Sequence, residues 1–225
     1  MNSFKRIILT VAAVCTVVGS ATALWALSRM GWQINELETV TFSEKTTAID
    51  TDFGNILITD INAHISLYQS QNGECKAVFT ETEHLTFDIQ NNGGTLTIEQ
   101  KDDSKWYERF GVIVSDTYYL KLYLPKAQYS ELTIESVSGD AELTSGLDFG
   151  DINISTVSGE IILDKCDGVT IDIATVSGDV KAHLLIDKTF YIDTDSGTVN
   201  VPESVSGAGD CRIDTTSGDI HVTVG

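Results

Sequence analysis

Five twelve-residue segments between Leu132 and the end of the chain align without gaps: LTIESVSGDAEL, INISTVSGEIIL, IDIATVSGDVKA, FYIDTDSGTVNV and CRIDTTSGDIHV. Their central glycines, Gly139, Gly159, Gly178, Gly197 and Gly218, are separated by 20, 19, 19 and 21 residues. A unit this short cannot contain a β-α-β crossover, which with its strands takes about 30 residues. It has to be made of short strands and bends, and it has to stack on its neighbours to bury an apolar face.

The columns of the alignment assign a role to each position. Leu132, Ile152, Ile171, Phe190 and Cys211 form one apolar column, and Ile134, Ile154, Ile173, Ile192 and Ile213 a second, two residues later. Ser136, Thr156, Thr175, Thr194 and Thr215 follow, all bearing hydroxyls, and Ser138, Ser158, Ser177, Ser196 and Ser217 precede the glycine. Beyond it, Ala141, Ile161, Val180, Val199 and Ile220 are apolar, as are Leu143, Leu163, Ala182, Val201 and Val222. A spacing of two in β-branched residues means strand, because successive side chains point to opposite faces. The apolar set is even-numbered from 132 and odd-numbered from 141 in the first segment. The chain therefore bends at Ser-Gly-Asp, where glycine tolerates positive φ and close backbone approach.

Two strands and two bends in about 20 residues describe one rung of an all-β parallel β-solenoid, a single-stranded β-helix whose rungs stack about 4.8 Å apart. Isoleucine ladders then form a dry core and Ser/Thr ladders bond between rungs. An antiparallel sandwich of hairpins is the alternative. Residues 132–225 form the five-rung solenoid in this reading, and 31–131 an irregular β region capping its first edge, since terminal repeats are atypical. Within 31–131, ITDINAHISL (58–67) keeps the repeat spacing with Ala63 in the glycine place, NNGGTLTIEQ (91–100) reads as a turn and strand, and YYLKLYLP (118–125) alternates until Pro125. The last rung ends three residues before Gly225, so it is expected to expose an edge open to self-association or docking.

Residues 1–30 read as an address. Lys5-Arg6 precede 22 uncharged residues from Ile7 to Ser28, a length that spans about 33 Å as a helix. The flanking charges put the rest of the chain outside the cell membrane as a single-pass protein, with Trp25 and Trp32 near the outer interface. Cleavage after Ala21-Thr22-Ala23 as a signal peptide is the competing reading. Either outcome exports the remainder. That remainder holds 11 basic and 33 acidic residues, a net charge of −22, which repels nucleic acid and anionic lipid.

Little of the sequence carries chemistry. His64, His84, His183 and His221 are scattered without metal-ligand spacing, no G-x-S-x-G or phosphate loop is present, and the Ser-Gly unit recurs five-fold where an active site is built once. No catalytic, cofactor-binding or metal residue is assigned. The acidic column Asp140, Glu160, Asp179 and Asp219 is the one candidate for calcium; Asp beside a bend glycine more often bonds nearby backbone. Cys75, Cys166 and Cys211 show neither a zinc pattern nor a disulfide framework, and Cys211 reads as a small core residue. Lys105-Trp106-Tyr107-Glu108-Arg109-Phe110 reads as a binding loop if exposed and a cap core if buried.

The tandem [TS]-x-SG-[DET]-[VI] units, the x-I-x-I strands before them and LYLP at 122–125 resemble the bacterial β-strand-repeat family of adhesin-like proteins, over roughly residues 45–225. The resemblance implies a surface or envelope protein with no catalytic residues to carry over. Three functions follow as expectations: a non-enzymatic module that binds or scaffolds a cell-envelope glycan or protein, an envelope-stress sensor recognising cationic peptides, and, least supported, a polysaccharide-cleaving enzyme.

Overall fold

The computed structural model describes residues 41–103 and 118–225, which fall in one compact unit. The expected anchor, Cys15, both tryptophans flanking it, and the Lys105–Phe110 loop lie outside the described residues. Among the described residues no helix is long and apolar enough to cross a membrane. The structure there is all-β: β1 (Ser43–Ala48), β2 (Asn55–Asp60), β3 (His64–Gln69), β4 (Lys76–Glu81), β5 (Leu85–Asn92), β6 (Thr95–Asp102), β7 (Tyr119–Leu124), β8 (Gln128–Ser138), β9 (Ala141–Leu143), β10 (Asp148–Ser158), β11 (Ile161–Asp164), β12 (Asp167–Ser177), β13 (Val180–Leu184), β14 (Lys188–Ser196), β15 (Val199–Asn200), β16 (Gly209–Ser217) and β17 (Ile220–Val224).

Each repeat contributes a long strand before its Ser-Gly corner and a short one after it. The long strands join an eight-stranded sheet in the order β14-β16-β12-β10-β8-β2-β6-β5, and the short ones a nine-stranded sheet in the order β1-β4-β7-β3-β9-β11-β13-β17-β15. All pairing between repeats is parallel and in the expected register, which removes the hairpin sandwich: Ile134 pairs Ile154, Ile154 pairs Ile173, and Ile173 pairs Ile213. Side chains alternate along each strand, so that Leu132, Ile152, Ile171 and Cys211 are fully buried while their odd or even neighbours face outward. The two sheets share this aliphatic interior.

The stack does not begin at Leu132. Ile56 and Ile58 pair with Leu132 and Ile134, and Ile65 and Leu67 with Ala141 and Leu143, so β2 and β3 form a rung with Ala63 at the glycine corner. β6 and β7 form another outside it. Beyond that the pairing turns antiparallel: β5 returns on β6 through Gly93 and Gly94, both at positive φ, while β4 covers β7 and β1 covers β4. This end is capped.

The other end departs from a simple winding. The last repeat, β16 and β17, lies between the third (β12, β13) and the fourth (β14, β15). The C-terminal rung is therefore internal, and the exposed edge belongs to the fourth repeat. The same interchange occurs at the capped end, where β2 and β3 sit inside β6 and β7. Residues expected in the core suffer accordingly: Val199 is 44% exposed, and Phe190 and Ile192 are only half-buried, because no rung covers them.

Candidate functional site

The corner after the long strands is where repeated polar groups converge. A Cβ on Gly159 would lie 2.2 Å from the Gly139 carbonyl oxygen, and one on Gly218 would lie 2.1 Å from that of Gly178. Glycine is thus required by backbone approach between rungs. Ala63 is tolerated in this column, and it supplies the carbonyl oxygen that a Cβ on Gly139 would meet.

The acidic column serves the same corner. Asp140 accepts a hydrogen bond from the Glu160 backbone N–H at 2.7 Å, Asp179 from that of Asp219 at 2.9 Å, and Asp219 from that of Thr198 at 2.7 Å. Glu160 instead pairs with Lys181. The Asp140, Asp179 and Asp219 carboxylates thus tie neighbouring rungs together through backbone amides. Among the described residues, no three His, Cys, Asp or Glu are grouped to hold a metal ion.

The histidines do not converge. His64 lies 3.4 Å from Asp140 and 3.9 Å from Glu142, His84 is 3.1 Å from Asp103, His183 contacts the Gly225 carbonyl oxygen and His221 meets Asn200. Cys75, Cys166 and Cys211 are buried and unpaired. Burial pushes their thiols up, to about 11 for Cys75 and about 12 for the other two, so they remain protonated and poor nucleophiles at neutral pH.

Three buried charged side chains, at two places in the repeats, escaped the sequence reading. Asp167 lies 2.7 Å from the Lys188 ammonium and also accepts from the Gly168, Leu185 and Ile186 amides. Lys188, 3% exposed, donates to the Gly168 carbonyl oxygen at 2.6 Å. The pair holds the connection that leaps from β13 to the outermost rung. Asp60 occupies the position of the hydroxyl column, pairing with Ser136. Its carboxylate accepts from the Ala63 amide at 2.8 Å and the Ser136 hydroxyl at 3.1 Å. Burial nevertheless pushes it up to about 6. The sequence held a signal for this one: extending the 58–67 alignment places Asp60 under Ser136.

The outward faces are broad and shallow. On the eight-stranded sheet the repeats display Glu131, Glu135, Asp151, Asp172, Asp193, Asp210 and Asp214, all exposed, around a slight depression beside Asn153. Arg212, lying over the Tyr191 ring at 5.7 Å, is the one base among these outward positions. On the nine-stranded sheet, Tyr68 and Tyr123 stack at 5.4 Å and Lys76 lies over Tyr123.

This is an all-β repeat protein of two mostly parallel sheets whose recurring polar side chains bond rung to rung. It belongs to the Toastrack DUF4097 family, whose profile matches residues 53–224. Among solved structures it is similar to a candidate cell adhesion protein from Clostridium sporogenes, at 12% identity and a TM-score of 0.61, covering 82% of this chain and 100% of that one. A candidate adhesin from Bacteroides fragilis aligns at 12% identity and a TM-score of 0.36, covering 82% and 98%. The first likeness concerns the fold alone. No curated protein matches.

Proposed function

We propose that this chain is a non-enzymatic surface protein, an adhesin-like module that binds or scaffolds a cell-envelope glycan or protein, held outside a bacterial cell membrane by its N-terminal segment. The observation that carries this reading is the division of labour between corner and face. Corner carboxylates are engaged with amides of neighbouring rungs, while the sheets present long faces of the kind that solenoids use for extended ligands. The description of the Clostridium sporogenes neighbour as a candidate cell adhesion protein points the same way. Photo-crosslinkers placed at Asn153 and at the exposed Lys181, one on each sheet, test it on intact cells. Adducts with a defined envelope glycan or protein are expected; purified chain that cleaves envelope polysaccharide would overturn it.

A second reading, an envelope-stress sensor recognising cationic peptides, is favoured by one observation: nine exposed acids against a single exposed arginine on the repeats' long strands. It requires binding of a cationic antimicrobial peptide that weakens with salt, because exposed charge attraction is screened.

A further inference from the structure

One position of the inward polar column breaks the pattern of the rest. From β8 onward it holds only hydroxyls: Ser136, Thr156, Thr175, Thr215 and Thr194 in spatial order. On β2 the same position holds Asp60, 3% exposed, and its neighbour at that level of β6 is Gln100, 4% exposed. Gln100 Oε1 accepts from the Ile61 and Asn62 amides, at 2.8 and 3.2 Å, which fixes its orientation and commits its Nε2 elsewhere. Asp60 uses one oxygen for both of its bonds. Asp60 Oδ1, Asn62 Oδ1 and Gln100 Nε2 are all buried and without a partner.

A buried acceptor without a donor destabilises the fold, and a buried carboxylate does so most when ionised. We propose that the corner formed by Asp60, Asn62 and Gln100 is a proton-controlled joint between the capping rung (β6, β7) and the repeats. Two unpartnered acceptor atoms, Asp60 Oδ1 and Asn62 Oδ1, share this corner with the Gln100 Nε2 donor; a proton on Asp60 Oδ1 turns one of those acceptors into a donor and removes the buried charge. Ionisation loosens the corner and with it the hold of the cap on the stack.

Other charges near the corner are accounted for. On β6, Asp102 lies two residues beyond Gln100 on the same side of the strand, while Glu99 and Lys101 face outward. On β8, Glu135 faces outward, and at the following turn Asp140 meets His64 of β3. His64 is therefore the control that the test carries.

The direction follows from linkage. Asp60 has a folded pKa of about 6 against 3.8 for the free side chain. Its contribution to stability is complete below the lower value and is lost as pH rises through the higher one. A two-unit separation changes the folding equilibrium by about a hundredfold across that window.

Urea unfolding of the full chain between pH 4.5 and 7.5 reads this directly, with Asp60→Ser restoring the column's own hydroxyl and Asp60→Asn as the isosteric form. About twenty-fold of that change falls between pH 4.5 and 7.5; both variants are expected to lose it, and His64→Gln to keep it. Hydrogen exchange adds a local reading: protection at Ala63 falls between pH 5 and 7 in the unaltered chain, and not in Asp60→Asn. Parallel pH profiles for the unaltered chain and either Asp60 variant would overturn the proposal, as would loss of the difference in His64→Gln alone.

Discussion

At the scale of single residues, the glycine column shows why a Cβ is excluded. In the sequence it appears as punctuation, five glycines after five serines, and a bend is legible from the change of phase around them. The crowding is not legible, because it arises between rungs about 20 residues apart. Gly159 has φ of 127° and would place a Cβ 2.2 Å from the Gly139 carbonyl oxygen. Gly159→Ala therefore meets both a strained backbone and a rigid neighbour, and is expected to destabilise by about 3–5 kcal/mol. Urea unfolding midpoints measure it. Gly73 is the control: it has positive φ but open space around it, so its alanine variant should lose only about 1 kcal/mol. Equal losses at the two positions would leave backbone strain as the whole explanation. Cys211 was readable as core from its column alone, since a ladder position dictates burial whatever residue fills it.

Elements were legible where they repeat and obscure where they cross. The strands of the five segments, and the displaced rung at 58–67, follow from two-residue spacing and corner residues. The order in which rungs stack does not, because a parallel ladder of near-identical strands accepts any neighbour. What selects the order has to be unique, and the Asp167–Lys188 pair is: no other repeat holds a buried cation at that place. Asp167 grips the amides of Leu185 and Ile186 just after β13, and Lys188 opens β14. Removing one partner leaves the other charge buried alone, so Lys188→Ala should cost about 3–5 kcal/mol. The double variant Asp167→Asn, Lys188→Met removes both charges at similar volume and should recover most of that loss. A double-mutant cycle by chemical denaturation decides it. If the double variant loses as much as the sum of the single ones, the pair is uncoupled and the crossover is held by something else.

For the whole molecule, the interchange of the last two repeats changes what its open end is. An exposed C-terminal rung was the reason to expect self-association there, and that rung is internal. The edge actually presented carries several features that natural sheets use against pairing. β15 is two residues long and Pro202 follows closely. Asp193 and Asp195 stand exposed on β14. Residues 204–205 cover its start, with Val205 N–H donating to the Lys188 carbonyl oxygen at 2.9 Å and the Phe190 N–H donating to Ser204 Oγ at 2.9 Å. An edge so blunted, on a chain of this net charge, should not recruit a second copy. Light scattering of the folded chain, in detergent that accommodates the apolar N-terminal run, is therefore expected to give one copy per particle at tens of micromolar protein. Replacing Asp193 and Asp195 by valine and Pro202 by threonine should restore a template for pairing and produce concentration-dependent association. Crosslinks between copies from Tyr191 in the unaltered chain would show that the edge is a working interface, and the charges on it would then have to be read as selecting a partner.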